Sequence, residues 1–198
     1  MPPKCRFTRE EIIQAALDLT AEKGVGALTA RGLAQRLGSS AKPIFGLFAN
    51  MEEVQQEVVK AANLRYQEYL RQDMSAGRYP PYKASGMAYI RFAREQKELF
   101  KLLFMRDRTH EEKAAGDELE ALLGLIQKNM GLSRDDAYRF HLEMWIYVHG
   151  IATMIATAYL EWDMDFISAA LTDAYQGLRL RFGQTGQTSQ TETKQKKE

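Results

Sequence analysis

The side chains able to do chemistry are few, and their spacing argues against catalysis. The chain has three histidines, His110, His141 and His149, and one cysteine, Cys5. His141 and His149 fall on nearly the same face of a helix, but eight residues of helix separate them by ~12 Å, too far to share one metal. A lone cysteine excludes an intramolecular disulfide framework and a thiolate zinc finger. No His-Glu-x-x-His run, phosphate-cradling glycine loop or nucleophile elbow is present. Glu111, Glu112, Asp117, Glu118 and Glu120 read as a solvated helix face. The sequence therefore points to no enzyme, no metal and no cofactor.

Charge is more informative. Residues 1–48 hold seven basic side chains (Lys4, Arg6, Arg9, Lys23, Arg31, Arg36, Lys42) and four acidic ones (Glu10, Glu11, Asp18, Glu22), a balance of +3. The whole chain carries +1, so the remainder carries −2. A small basic unit on a slightly acidic body has the shape of a head that meets polyanions.

The elements that must position these groups are helices. Apolar residues recur at spacings of three and four, no alternating strand pattern appears, and the five prolines sit mostly at Pro2, Pro3, Pro80 and Pro81. The expected fold is all-α, with about nine helices. Thr8 with Glu11 forms a capping box for a first helix that Gly24 ends. Thr29 caps a second helix over 30–37, and Gly38 stops it. Ser40 is expected to cap a third, to about residue 47, with Pro43 in its first turn. Asn50 caps a long fourth helix over 51–74. Beyond Pro80-Pro81, helices are expected over 82–95, 96–106, 111–130, 134–160 and 163–181. At 198 residues the chain is long enough to bury a core without staples. Residues 183–198 contain no apolar side chain, and a disordered polar tail is expected there. No segment has the ~20 apolar residues of a membrane span and no secretory h-region is visible; a cytoplasmic protein is expected.

Residues 29–48, TARGLAQRLGSSAKPIFGLF, follow the arithmetic of a helix-turn-helix: two short helices, a tight glycine turn, and small or polar residues at the start of the second helix. From Thr8 to Val54 the sequence resembles the N-terminal domain of the tetracycline-repressor (TetR) family of bacterial transcription regulators. Phe7, Ile13, Ala16 and Gly24 carry the resemblance around the first helix. Thr29, Arg31, Leu33, Ala34, Gly38, Ser40, Phe45 and Phe48 continue it, and Glu52, Glu53 and Val54 open the fourth helix. The run WIYVHGIATM, residues 145–154, resembles the penultimate helix of a subgroup marked by a Trp and a His-Gly pair.

The resemblance implies a three-helix head (1–50) and a helical ligand-binding and dimerisation body (51–182). It implies a homodimer, joined through its last two helices, that binds a palindromic double-stranded DNA operator and is released by a small-molecule effector. The alternative is a helix-turn-helix protein with no small-molecule ligand. Ser40, Ala41, Lys42 and Pro43 would open the recognition helix. Lys42 would donate to a guanine edge or a phosphate, and Ala41 and Pro43 would touch a thymine methyl. Thr29 would donate to a phosphate, with Arg31, Arg6 and Arg9 adding charge. Phe45 stands where the family usually has a phosphate-bonding Tyr, Leu47 where a His is common, and Met51 where a Lys is common, so three phosphate partners are missing.

In the body, Leu142, Trp145, His149, Ala152 and Ala156 share one helix stripe. Met144, Tyr147, Val148, Ile151, Ile155 and Tyr159 share a second, so the helix must pack on two sides. Phe166, Ala169, Ala170, Ala174 and Leu178 continue the theme in the last helix. Met87, Tyr89, Phe92, Phe100, Phe104, Met105, Met144, Trp145 and His149 are the candidate pocket residues, apolar walls with a few polar handles.

Overall fold

The computed structural model describes residues 7–107 and 117–195, with side chains over 7–107 and 119–183. Among the described residues the chain is all-α, with nine helices and no strand. They are α1 (Arg9–Lys23), α2 (Ala30–Arg36), α3 (Lys42–Phe45), α4 (Met51–Ser75), α5 (Pro81–Glu95), α6 (Lys97–Phe104), α7 (Asp117–Met130), α8 (Arg134–Ala156) and α9 (Met164–Gln195). A 3-10 turn at Val25–Ala27 joins α1 to α2. The chain divides into two compact units, Met1–Arg71 with Arg91–Arg108, and Gln72–Ile90 with Thr109–Glu198.

In the first unit, local signals set the helix ends. Thr8 Oγ1 accepts from the Glu11 amide at 3.1 Å and the Glu11 carboxylate accepts from the Thr8 amide at 2.8 Å, closing the expected capping box. Asn50 Oδ1 accepts from the Glu53 amide at 2.9 Å to start α4. Between α2 and α3, Gly38 has φ +59. Its amide bonds Gln35 O at 3.1 Å and the Ser39 amide bonds Ala34 O at 3.0 Å. That is a Schellman turn, whose left-handed residue favours glycine. Ser40 does not cap α3: Ala41 occupies that position, without a side-chain bond, and the helix is only Lys42–Phe45. Pro43, which has no N–H to satisfy, sits in its first turn.

Ile12, Ala16, Leu33, Ile44 and Val54 are fully buried in this unit. α1 packs on α2 and on α6. Tyr66 meets Phe92 at 5.4 Å and Phe104 at 5.2 Å between ring centroids, in tilted and edge-on geometries that favour aromatic pairs. Besides residues 1–50 the unit takes in residues 51–71 and 91–108.

In the second unit, Leu123, Ile126, Phe140, Met144 and Phe182 form a core against which Tyr82, Tyr175 and Leu178 pack. Ser133 caps α8 as expected, accepting from the Asp136 amide. Asp163 Oδ1 accepts from the Phe166 amide at 2.7 Å at the start of α9. Two details differ from the sequence expectation. α8 stops at Ala156, where Thr157 folds back on Thr153 O, so Tyr159 lies past the helix and is 75% exposed. Tyr147, expected on a packed stripe, is 49% exposed; the buried stripe is Phe140, Met144, Val148, Ile151 and Ile155, together with Ala152 and Ala156. α9 runs through to Gln195.

Candidate nucleic-acid interface

Thr29, Arg31, Ser40, Lys42 and Phe45 are all exposed in the first unit, while Ala41 and Pro43 are half-buried. Ile44, in the middle of α3, is fully buried and anchors that short helix. Phe45 has 49% of its surface in solvent, unusual for a phenylalanine with a packed core at hand. Thr29 Oγ1 accepts from the Gly32 amide at 3.0 Å, which leaves the hydroxyl proton to donate outward. Arg6 lies outside the described residues.

Sequence counting treats the head's cations as equivalent; the structure does not. Arg36 is held bidentately by Glu22 at 2.7 and 2.8 Å, and this pairing keeps Glu22 below the usual carboxylate range. Arg9 turns inward. Its Nη1 donates to Leu47 O at 2.9 Å and its Nη2 to Glu53 Oε1 at 2.8 Å. Its guanidinium also lies 4.3 Å from the Phe48 ring centroid. Glu53 is held below the usual carboxylate range, first by the bond from the Ala49 amide and then by Arg9. Arg31, Lys42 and Lys23 are exposed and enter no ion pair among the described residues. Of these, Arg31 lies on α2 and Lys42 on α3, beside Thr29 and Phe45, while Lys23 ends α1.

Gly32, which sequence reasoning passed over, is what permits this surface. A Cβ there would fall 2.5 Å from Ala27 O and 3.3 Å from Thr29 Oγ1. The visible signal is a glycine in the first turn of a seven-residue helix, where every residue but proline has better propensity.

The nine candidate pocket residues divide between the units. Phe92, Phe100, Phe104 and Met105 belong to the first; Met87, Tyr89, Met144, Trp145 and His149 belong to the second. Phe92, Phe100, Met87, Tyr89 and Met144 are buried, whereas Met105 and Trp145 are 40% and 43% exposed. His149 Nδ1 lies 2.9 Å from the Tyr89 hydroxyl, and its ring stacks on Trp145 at 4.8 Å and 13°. A second pair repeats the pattern two turns away: the Tyr82 hydroxyl lies 3.1 Å from His141 Nδ1. Burial lowers the pKa of both histidines, and a neutral ring is the form that accepts from a hydroxyl. The two pairs arise because seven residues on α5 run beside eight on α8, a match that periodicity along either helix alone does not show. Among the described residues no group of three or more His, Cys, Asp or Glu is arranged to hold a metal, and no helix is long and apolar enough to cross a membrane.

Comparison with protein families gives two matches. Residues 12–58 match the model for bacterial regulatory proteins of the tetR family, and residues 82–175 match the tetracyclin repressor-like C-terminal domain. No curated protein matches the chain.

Proposed function

The chain belongs to the tetR family of bacterial regulatory proteins and is a DNA-binding transcriptional regulator; from this premise we propose that it is a cytoplasmic repressor, non-enzymatic, that binds a palindromic operator as a homodimer. The observation that carries the proposal is the exposed set Arg31, Lys42, Thr29 and Phe45 around α2 and α3, whose cations enter no ion pair among the described residues. Lys42 donates to a guanine edge or a phosphate, and Arg31 and Thr29 hold neighbouring phosphates. Phe45 has no hydroxyl and offers only apolar contact, so it does not replace the missing phosphate partner.

The dimer is supported by apolar side chains left in solvent on α8 and α9. Tyr138, Leu142, Trp145 and Ile146 share a face of α8, and Phe166 and Leu180 are 52% and 68% exposed on α9. A cluster of this kind marks an interaction surface. Two heads at a spacing of about 34–36 Å would then meet successive major grooves. An effector that binds the body better in a different head spacing would release the operator, by the reciprocity of coupled sites.

A second reading, a regulator without a small-molecule effector, is favoured by one observation. His149, the most polar of the pocket candidates, already has the Tyr89 hydroxyl at hydrogen-bond distance. A gel shift with DNA selected from a random pool tests operator binding. Thermal-shift screening of the same protein against apolar and cationic compounds separates the two readings, because a ligand of the folded state raises the midpoint and, under the first reading, also weakens DNA binding.

A further inference from the structure

We infer that Arg9 is a positioning residue for DNA recognition, clamping the exit of α3 rather than contacting a phosphate. The inference rests on the DNA-binding reading. Arg9 is the first residue of α1, Leu47 follows α3 by two positions, and Glu53 is in the first turn of α4. One guanidinium bonds both of the latter, Leu47 O at 2.9 Å and Glu53 Oε1 at 2.8 Å, with Glu57 at 3.6 Å. The Phe48 ring covers part of the same group at 4.3 Å. Glu53 in turn accepts from the Ala49 amide at 2.7 Å. The segment leaving α3 is thus tied at Leu47 and Ala49 to the starts of α1 and α4.

α3 is only four residues long and has no side-chain cap. Its own hydrogen bonds cannot hold Lys42 and Phe45 in one orientation, since a helix this short is marginal. The buried Ile44 anchors its middle, and the Arg9 clamp fixes its end. A phosphate reaching Arg9 would meet a guanidinium already donating to two oxygens, beside a Glu53 carboxylate that repels it.

The test uses full-length protein and two probes: the duplex that the wild-type chain enriches from a random pool, and a random-sequence duplex of the same length. Glu53→Gln is the decisive variant. It removes a negative charge and loosens Arg9, so a phosphate-contacting Arg9 predicts equal or tighter binding to both probes. Positioning predicts binding to the enriched duplex weakened by about tenfold, the worth of one good base contact. Binding to the random duplex and the salt slope then stay within about twofold and about 0.3, because no phosphate contact is lost. Arg9→Lys keeps the charge but not the planar fork. It is expected to behave as Glu53→Gln does, and it carries the test alone should Glu53→Gln unfold. Affinities are compared at temperatures where circular dichroism finds each variant fully folded. Unchanged or tighter specific binding in either variant overturns the inference, as does an Arg9→Ala salt slope shallower by about one on both probes. A lowered thermal midpoint with unchanged specific affinity also overturns it, since that is a merely structural role. Enrichment of no sequence by the wild-type chain refutes the DNA-binding reading itself.

Discussion

Replacing Gly32 by alanine tests how the head is built. In most exposed helices the change is favourable by about 0.5–1 kcal/mol, because glycine loses more backbone entropy on folding. Here the added Cβ would lie 2.5 Å from Ala27 O, and an ordinary contact needs nearly an ångström more. Ala27 cannot easily retreat: its carbonyl accepts from the Thr29 amide at 2.8 Å and its amide donates to Gly24 O at 3.1 Å. Relief therefore comes from moving α2 outward, which opens the 3.0 Å cap between Thr29 and the Gly32 amide. A lost cap costs about 1 kcal/mol, and overpacking typically costs about 1–3 kcal/mol. Set against the propensity gain, the net is a destabilisation of about 1–3 kcal/mol, or roughly 2–10 °C in midpoint for a chain of this size. Gly124 in α7 is the control. A Cβ there meets nothing within 4 Å, so Gly124→Ala should raise the midpoint by about 1–4 °C. Thermal unfolding followed by circular dichroism reads both. A Gly32→Ala protein as stable as the parent would refute the close-approach argument.

Other consequences follow from the same geometry. Alanine at Arg31 or at Lys42 should each flatten the salt dependence of duplex binding by about one unit of slope, measured by gel shift across a salt series; unchanged slopes would mean these cations touch no phosphate. Parental binding itself should show a shallower slope than the about −5 to −9 of a protein with six to ten contacts, because Phe45, Leu47 and Met51 supply none. Tyr89→Phe should destabilise by about 1–3 kcal/mol in urea denaturation, since it leaves the acceptor nitrogen of His149 without that hydroxyl, and His149→Phe should keep the fold while changing any effector response. Burial lowers the folded pKa of both His141 and His149 below the unfolded value of about 6.5. The unfolded chain then binds more protons, so their contribution is present above pH ~6.5 and is lost as pH falls below it. Midpoints between pH 7.5 and 5.5 should drop, and His141→Gln with His149→Gln should reduce the drop.

Much of this molecule was legible without coordinates, for local reasons. Thr8, Thr29, Asn50 and Ser133 cap the helices they announced, because a cap depends only on residues within one turn. Ser40 failed as a cap because the Schellman turn at Gly38 and Ser39 delays α3 until Lys42. The family resemblance pointed to residues around α2 and α3, of which Thr29, Arg31, Ser40, Lys42 and Phe45 are exposed while Ala41 and Pro43 are half-buried. What stayed hidden was pairing at long sequence separation. Arg9 and Glu53 are 44 residues apart, and Tyr89 and His149 are 60 apart. Counting charges in a segment cannot reveal that Arg9 and Arg36 are already engaged. Nor can periodicity along α8 tell a buried tyrosine from an exposed one once the helix ends early at Ala156.

Sedimentation at micromolar concentration should give twice the 22.6 kDa chain mass; a monomer would remove the paired-head arrangement while leaving DNA contact possible. The most direct test of the central claim is selection of duplex DNA from a random pool by the full-length protein, followed by gel shift of the parent and Lys42→Ala. The account predicts enrichment of a two-fold symmetric site that the parent binds in a salt-dependent manner and the Lys42→Ala protein binds at least about tenfold more weakly. Enrichment of no sequence, or equal binding by the two proteins, would contradict it.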